Sequence, residues 1–347
     1  MSPTSEKKVV DRRLSWLCSS QRAAELYSAG KKLWTKEDLR DIEQQLTNSC
    51  SMARFSIRQL DGQIIEVVNS RFHKENPNWK PYVEFHAYWQ LVHCPPDDVP
   101  TEYQSSYRVE WVDQTANNLR GLQAQPEWVF DEKDLLWRNS STCKMLSGLV
   151  QDLIGKGSSA KKVVCFGLGD FSRSAPEWFK EDTKCWGWKA DVEHSANPMI
   201  QHAVALTMAR LCGNGMGSLF AQDPDYTDAA EEILTKKKFQ IVGRYGAGGF
   251  AEIDDDTIVI SPFPNAPVKQ IIADLARPVL IISHGWSVFN KIGILHSHPF
   301  VDADSPRTAR MLSDYDTYSI PTDPEEVEVC RALRGLQLYH RRPPAGG

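Results

Sequence analysis

Hydrophobic residues between positions 161 and 285 occur in short continuous runs that are separated by amphipathic stretches. Five runs predict β-strands, at residues 162–166, 218–221, 239–242, 257–260 and 278–282. Because these runs are continuously apolar rather than alternating, we expect strands that are buried on both faces. Helices are predicted to begin at Asn197-Pro198, at Thr227 and at Pro267. Strands that alternate with helices are typical of an α/β fold with three layers and a mostly parallel sheet.

The N-terminal third has a different pattern. Alternating apolar positions in residues 52–60 and 63–68 flank the pair Asp61-Gly62, which predicts a β-hairpin with a tight primed turn. Aromatic and β-branched residues at 81–92 and 105–112 predict further strands. A short amphipathic helix is predicted over Glu37–Leu46. The sequence therefore predicts a β-rich N-terminal region.

Four segments follow from these patterns. A helix from Leu135 to Ile154, stopped at Gly155–Gly157, is expected to lead into the sheet. Beyond Trp286 the signal weakens, with one candidate edge strand at Ile292–Leu295. We expect a flexible start at 1–13, a β-rich region at 14–130, an α/β domain at 131–300 and an exposed, partly disordered polar tail at 301–347.

Composition narrows the class of protein. Of the 347 residues, 41% are hydrophobic and 24% are charged, as in ordinary globular proteins. The net charge of -5 is spread along the chain, so no nucleic-acid partner is expected, and no run of about 18 apolar residues predicts a membrane span. Eight cysteines without metal-like spacing, and no apolar signal at the N-terminus, predict an intracellular protein of the cytoplasm, the nucleus or both.

The turn after the first strand of the sheet is the first candidate for a ligand site. Gly167 and Gly169 would let a ligand approach the backbone, and ligands of such sheets bind outside the carboxyl ends of the strands. The dinucleotide pattern requires a third glycine where this chain has Ser172. NAD is therefore not expected unless a short helix near residues 176–179 holds the pyrophosphate. A tight turn that contacts no ligand is the alternative.

The ends of two further strands carry candidate polar residues. Gln222-Asp223 follows the second strand, where an acid or amide could hold a ribose hydroxyl, or Asp223 could simply open a turn before Thr227. Ser261 begins a Ser-Pro-Phe-Pro segment that could border the same cleft or merely end the fourth strand. The candidate ligand-binding residues are Gly167, Gly169, Asp170, Ser172, Gln222, Asp223 and Ser261.

The remaining candidates favour structural roles. His202 could reach the cleft but is expected to bond a backbone carbonyl, and the pair His296 and His298 lacks the cysteines or carboxylates of a metal site. The four glycines between 243 and 249 indicate a mobile loop or bulge, and Cys165 is expected to be inert inside its strand. No metal site, catalytic residue or particular cofactor is indicated, and the residues leave open whether the protein is an enzyme.

Several motifs between about 140 and 300, taken in their order along the chain, resemble those of the Sensitivity-to-Red-light-Reduced-like (SRR-like) domain. They are Val163–Ser172, Gln201-His202, Ala221–Tyr226, Asp256–Val259, Pro267-Val268 and Arg277-Pro278. The resemblance implies a Rossmann-like domain in a regulatory protein. Members of the family are associated with light signalling and the circadian clock in plants, and with haem metabolism or cytoskeletal phenotypes elsewhere. The resemblance names no catalytic residue.

Three functional hypotheses remain open. The first is a regulatory protein that binds a nucleotide or adenosyl-type small molecule at the Gly-Leu-Gly turn. The second is an enzyme similar to S-adenosylmethionine-dependent methyltransferases. The third is an interaction module whose N-terminal region recruits a protein partner. This third hypothesis is based on an excess of aromatic residues between 79 and 111, which could instead fill the core. They are Trp79, Tyr82, Phe85, Tyr88, Trp89, Tyr103, Tyr107 and Trp111. Burial of both Trp89 and Trp111 would exclude the partner surface.

Overall fold

A computed structural model of the chain describes residues 17–74, 76–92, 104–155, 160–184, 190–212, 217–285 and 302–343. The predicted flexible start, Tyr103, the candidate edge strand at 292–295 and the pair His296 and His298 lie outside the described residues. None of the described helices is long and apolar enough to cross a membrane.

The N-terminal region contains helices as well as strands. Helices α1 (residues 17–28) and α2 (Lys36–Thr47) precede a hairpin of β1 (Arg54–Arg58) and β2 (Ile64–Val68). A second two-stranded sheet pairs β3 (Trp79–Phe85) with β4 (Tyr107–Asp113), and short helices α3 (Tyr88–Val92) and α4 (Thr115–Asn118) follow these strands. The region is therefore mixed, and the description as β-rich is too simple.

Residues 88–92 form helix α3, although the sequence predicted a strand there. The N–H of Ala87 donates to Gln90 Oε1 at 2.7 Å, and the N–H of Tyr88 donates to Gln270 Oε1 at 2.9 Å. These side chains occupy the backbone donors that a strand would offer to its neighbour. The local alternation of apolar residues did not reveal this competition.

The β1–β2 hairpin is confirmed, but its turn is longer than predicted. Arg58 pairs with Ile64, and the N–H of Gln59 donates to the Gln63 carbonyl at 2.8 Å. This leaves a three-residue loop in which Gly62 alone has a positive φ, of 94°. A tight primed turn places a positive φ at its first central residue, so the predicted turn type is wrong.

Two helices replace the single helix that was predicted over 135–154. Helices α5 (Pro126–Asn139) and α6 (Ser141–Ile154) are separated by Ser140, which has extended backbone angles. The Ser140 hydroxyl accepts the N–H of Cys143 at 2.9 Å and thereby caps α6. Helix α6 ends at Gly155, as expected.

A seven-stranded sheet forms the centre of the molecule. Its parallel strands are β5 (Lys162–Phe166), β6 (Ser218–Gln222), β7 (Gln240–Ile241), β8 (Thr257–Ser261) and β9 (Leu280–His284). Strands β10 (Tyr315–Ser319) and β11 (Leu336–Arg341) extend it antiparallel, in the order β10-β11-β9-β8-β5-β6-β7. All five predicted strands and the α/β class are confirmed. Along the sequence, β6 and β7 are added on one side of β5, and β8 and β9 are then added on its other side, so the strand order reverses between β5 and β8.

Helices cover both faces of this sheet. The first face packs against α5, α6, α8 (Ala190–Leu211), α9 (Asp228–Lys236) and α12 (Val327–Ala332), around Val163 and Cys165. The second face packs against α10 (Val268–Leu275), α11 (Pro306–Leu312) and the N-terminal region, around Val164 and Phe166. Alternate residues of one strand thus belong to two cores, which explains the continuous apolar runs.

Helix α8 begins earlier than the sequence indicated. The pair Asn197-Pro198 was expected to cap it, but the helix continues through Pro198 from Ala190. The proline removes one helical hydrogen bond. Contacts of α8 with α5, α6, α12, β5 and β6 outweigh that loss. The predicted starts after Thr227 and Pro267 agree with α9 and α10.

The polar segment from residue 302 is ordered rather than an exposed tail. It supplies α11, β10, α12 and β11, and β11 lies beside β9 in the central sheet. Leu336, Leu338 and Met311 are buried. The expectation of partial disorder is therefore wrong for residues 302–343, because long-range pairing supplies an order that the polar composition does not indicate.

A buried ion pair anchors this segment to the N-terminal region. Arg307 Nη1 lies 2.6 Å from Asp274 Oδ1, where the Asp274 side chain is buried and the Arg307 side chain is 11% exposed. Asp274 Oδ2 accepts the N–H of Leu33 at 2.6 Å, and Arg307 Nη2 donates to the Tyr27 carbonyl at 2.7 Å. The pair therefore joins α1, α10 and α11, which lie far apart in the sequence.

We predict that Arg307→Gln strongly destabilises the protein. The substitution leaves the Asp274 carboxylate buried without its cation, which typically costs about 3–5 kcal/mol. Chemical denaturation would measure the free energy of unfolding. Arg310→Gln on the same helix is the matched control, because Arg310 is exposed, and it should change this free energy by less than about 0.5 kcal/mol. Equal losses in the two variants would contradict the anchor.

Candidate functional site

A cavity of about 940 Å³ lies outside the carboxyl ends of β5, β6 and β8. Gly167 and Gly169 line it after β5, and Gln222 and Asp223 line it at the end of β6. Residues 263–266, after β8, line the side next to Gly167. The cavity therefore lies where the chain changes direction between β5 and β8, the place where open α/β sheets bind ligands.

The two glycines are required by the turn itself. Gly167 has a φ of 63° and Gly169 a φ of 87°. A Cβ atom on Gly167 would lie 3.2 Å from the Phe263 carbonyl oxygen, and one on Gly169 would lie 3.3 Å from Pro198 Cγ. Their N–H groups bond the Gln222 carbonyl at 3.1 Å and Asp223 Oδ2 at 2.8 Å. The turn thus borders the cavity, but its N–H groups are committed within the protein.

Asp223 combines a structural bond with access to the cavity. Its Oδ2 accepts the Gly169 N–H, and its Oδ1 accepts the Asp225 N–H at 3.0 Å. Burial of the carboxyl group, assisted by the nearby Asp225 carboxylate, raises the pKa of Asp223 to about 6. Each carboxylate oxygen keeps a lone pair, so Asp223 can still accept a hydroxyl donor from the cavity.

Asp170, Ser172 and Ser261 lie outside the cavity lining. Asp170 accepts the N–H of Ser172 at 2.6 Å and that of Thr227 at 2.7 Å, which fastens the loop to the start of α9. Ser172 is fully buried and its hydroxyl contacts Asp170 and Thr227. Ser261 is buried at the end of β8, where its hydroxyl has no partner among the described residues. The geometry therefore gives the first two residues structural roles.

The glycine-rich loop after β7 is held in place by two side chains. Gln222 Oε1 accepts the N–H of Gly249 at 2.7 Å, and its amide donates to the Gly246 carbonyl at 2.8 Å. Glu43, on α2, accepts three N–H bonds at 2.9–3.0 Å, from Tyr245, Ala247 and Gly248. These bonds hold the loop against the cavity, with a 3-10 helix at Gly248–Glu252, and the mobile loop or bulge stays a prediction. Glu43 comes from a distant segment, so the local sequence gave no signal for it.

Other walls of the cavity also come from distant segments. Strand β3 supplies Lys80, helix α8 supplies Glu193 and Asn197, and α12 supplies Arg331, which forms an ion pair with Glu193. Among the described lining residues, Lys80 and Arg331 are the lysine and arginine side chains, His194 is the histidine, and Glu84, Glu193, Asp223 and Asp225 are acidic. The lining is therefore acidic on balance, which disfavours polyphosphate ligands.

Metal ligands and reactive thiols are two kinds of catalytic group that the described residues can be searched for. No cluster of three histidine, cysteine or acidic residues that could hold a metal occurs in the described part of the chain. Cys165 is fully buried in β5, and burial raises the pKa of its thiol well above the ordinary range. It is therefore held as an inert thiol, as expected.

His202 is buried beneath the cavity rather than facing it. Its Nδ1 lies 2.7 Å from the Pro198 carbonyl, the partner that was expected, and its Nε2 lies 2.7 Å from the Tyr226 hydroxyl. Since a carbonyl only accepts, Nδ1 donates and Nε2 accepts. Complete burial lowers the pKa of His202 to about 4, so the imidazole is neutral at pH 7.

We predict that His202 makes the stability of the protein dependent on pH. Its pKa is about 4 when folded against 6.5 for the free side chain, so the unfolded chain binds more protons between these values and stability falls as the pH falls. From pH 7 to pH 5 the loss should be about 2 kcal/mol. Urea titrations at both pH values should show this loss as the difference in pH dependence between the wild type and His202→Gln. An identical pH dependence in the two proteins would contradict the assignment.

The aromatic residues of the N-terminal region have mixed environments. Phe85 and Tyr107 are buried in the second core. Trp111 is half-buried, and Trp89 is 37% exposed. The result that would have excluded a partner surface, burial of both tryptophans, is not observed. Recruitment of a protein partner stays a prediction.

Comparison with protein families adds to this geometry. The model of the SRR1 domain matches residues 146–320, about half of the chain. The match runs from α6 to the end of β10 and includes every strand that borders the cavity except β3 and β4. No curated protein and no solved structure matches the chain. The protein therefore belongs to the SRR1 domain family.

Proposed function

We propose that the cavity beside β5, β6 and β8 binds a small ligand with an adenosyl or nucleoside group. The position of the cavity, where a Rossmann-like sheet would hold its ligand, carries this proposal. Its volume of about 940 Å³ is within the usual range for small-molecule sites. Asp223 is the candidate acceptor for a ribose hydroxyl.

The charges of the lining favour an adenosyl-type ligand over a dinucleotide. Four acidic side chains face one lysine and one arginine among the described lining residues, and the N–H groups of Gly167 and Gly169 are already bonded. The short helix that a pyrophosphate would need is present as α7 (Glu177–Lys184), but its first turn carries Glu177. A neutral nucleoside or a cationic sulfonium such as S-adenosylmethionine suits this lining better.

We further propose that ligand binding serves regulation. Membership of the SRR1 domain family supports this role through the family's links to light and circadian signalling and to haem metabolism. The acidic lining also suits a methyl donor, so methyl transfer is the alternative. Incubation with labelled S-adenosylmethionine and cell extract distinguishes them, because an enzyme would label a product and a regulatory protein would only bind the donor.

Binding is the first property to test. Thermal unfolding of the wild type should shift upwards with S-adenosylmethionine, adenosine or another adenosyl compound, because a ligand of the folded state stabilises it by mass action. Nucleotides and haem complete the screen. Ala266→Trp places a large side chain in the cavity wall, and we expect it to weaken binding by about tenfold or more.

The matched control is Ala309→Trp, which makes the same change at an exposed position of α11. It should bind the ligand as the wild type does. Asp223→Asn should lower the affinity for compounds that contain a ribose more than for compounds that lack one. If no compound stabilises the wild type, or if Ala266→Trp binds as tightly as Ala309→Trp, the proposed site is wrong.

A further inference from the structure

A second cavity, of about 630 Å³, adjoins the first and has the opposite balance of charge. The two cavities share Lys80, Gln114, Pro224 and Asp225. The described lining of the second contains five lysine or arginine side chains and three acidic ones: Arg71, Lys74, Lys80, Arg173 and Arg244, and Asp225, Asp228 and Glu231. Its excess of positive charge is unexpected in an acidic protein.

Arg173 is the central cation of this cavity. The residue is only 8% exposed, yet its guanidinium has a single described contact, 3.4 Å from Nη1 to the Asp225 carbonyl. No carboxylate of the described residues lies within ion-pair distance of it. Burying a charged group is costly unless it is paired, and a guanidinium carries five N–H donors. Arg173 therefore presents unused donors to the cavity.

Three further cations, Arg71, Lys74 and Lys80, reach the cavity without a described ion pair. The guanidinium of Arg71 lies over the ring of Trp79, 3.7 Å from its centroid, a stacking that leaves the N–H edges available. Lys80 Nζ donates to the Pro224 carbonyl at 2.6 Å. These side chains come from the loop before β3 and from β3 itself, and Arg173 comes from the loop after β5. Three segments thus converge their positive charges on one cavity.

The acidic side chains of the lining offset part of the charge of Lys80, but they form no described ion pair with Arg71 or Arg173. Glu231 forms its ion pair with Arg244, and Asp225 and Asp228 are exposed to solvent. At the start of α9, Thr227 accepts the N–H of Ala230 and Asp170 accepts that of Thr227. An anion in this cavity would be held by the side chains of Arg71, Lys80 and Arg173.

We propose that this cavity binds the phosphate group of a small phosphorylated metabolite. Planar guanidinium groups bond phosphate oxygens in pairs, which makes arginine the preferred residue for such sites. Trp111 and Leu122 also line the cavity, and Leu122 is largely exposed. They supply an apolar wall for the body of the metabolite. Trp111 is one of the aromatic residues in excess between 79 and 111, and this contact would be its function. The proposal does not depend on the ligand of the first cavity.

Calorimetric titration at constant ionic strength tests it with phenyl phosphate, inorganic phosphate and phenol. Phenyl phosphate should bind, inorganic phosphate should bind more weakly, and phenol should not bind. Arg71→Gln should lower the affinity for both phosphates by about tenfold or more, because it removes charge-assisted hydrogen bonds. Trp111→Ala should weaken phenyl phosphate but leave inorganic phosphate unchanged. Arg173→Gln should have the largest effect, and Arg71→Gln keeps the test valid if that variant fails to fold.

Arg310→Gln removes the same charge outside either cavity and should bind both phosphates as the wild type does. Ala266→Trp should also leave phosphate binding unchanged, which separates this site from the adenosyl site. The proposal is overturned if neither phosphate binds to the wild type, or if Arg71→Gln and Arg310→Gln lose affinity equally. If phenyl phosphate and inorganic phosphate bind equally tightly, Trp111 and Leu122 do not contribute to ligand binding.

Discussion

A parallel sheet has to be covered on both faces, and this requirement determines much of the present structure. Strand β5 directs Val163 and Cys165 to one core and Val164 and Phe166 to the other. The second core draws on α1, α2, β1, β3 and β4, all of which precede the segment that matches the SRR1 domain. The N-terminal region is therefore a structural layer of the same unit, and removing it would expose the apolar face around Phe166.

The same requirement shapes the candidate ligand site. Because β3 lies against the second face, its Lys80 reaches the end of β6, and the Val83 N–H bonds the Tyr245 carbonyl at 2.8 Å. Glu43 and Gln222 then fix the glycine-rich loop as a wall. The floor is made by Phe166, whose ring stacks on that of Phe250 at 4.4 Å. The cavity thus depends on contacts between the family segment and residues outside it.

The sequence predicted those features whose cause is local. Burial on both faces leaves a continuous apolar run, so β5 to β9 were found, and the positive φ of Gly167 and Gly169 agrees with a turn that requires glycine. Strands β10 and β11 were missed because their charged and polar residues carry no such run, and pairing with β9 orders them. Lys80, Glu43 and Arg331 could not be found, since only the tertiary fold brings them to the site.

The two cavities meet at Lys80 and Pro224-Asp225 but are suited to different ligands. In the first, acidic side chains dominate and the N–H groups of the turn are occupied, so a polyphosphate would meet repulsion without compensating donors. In the second, Arg71 and Arg173 present donors that no described carboxylate uses. Under the two proposals, a ligand with a phosphate would bind in the second cavity and an adenosyl ligand without a phosphate in the first. Lys80 lines both cavities. Its charge would interact with a ligand in either cavity, so binding in one would change the affinity of the other.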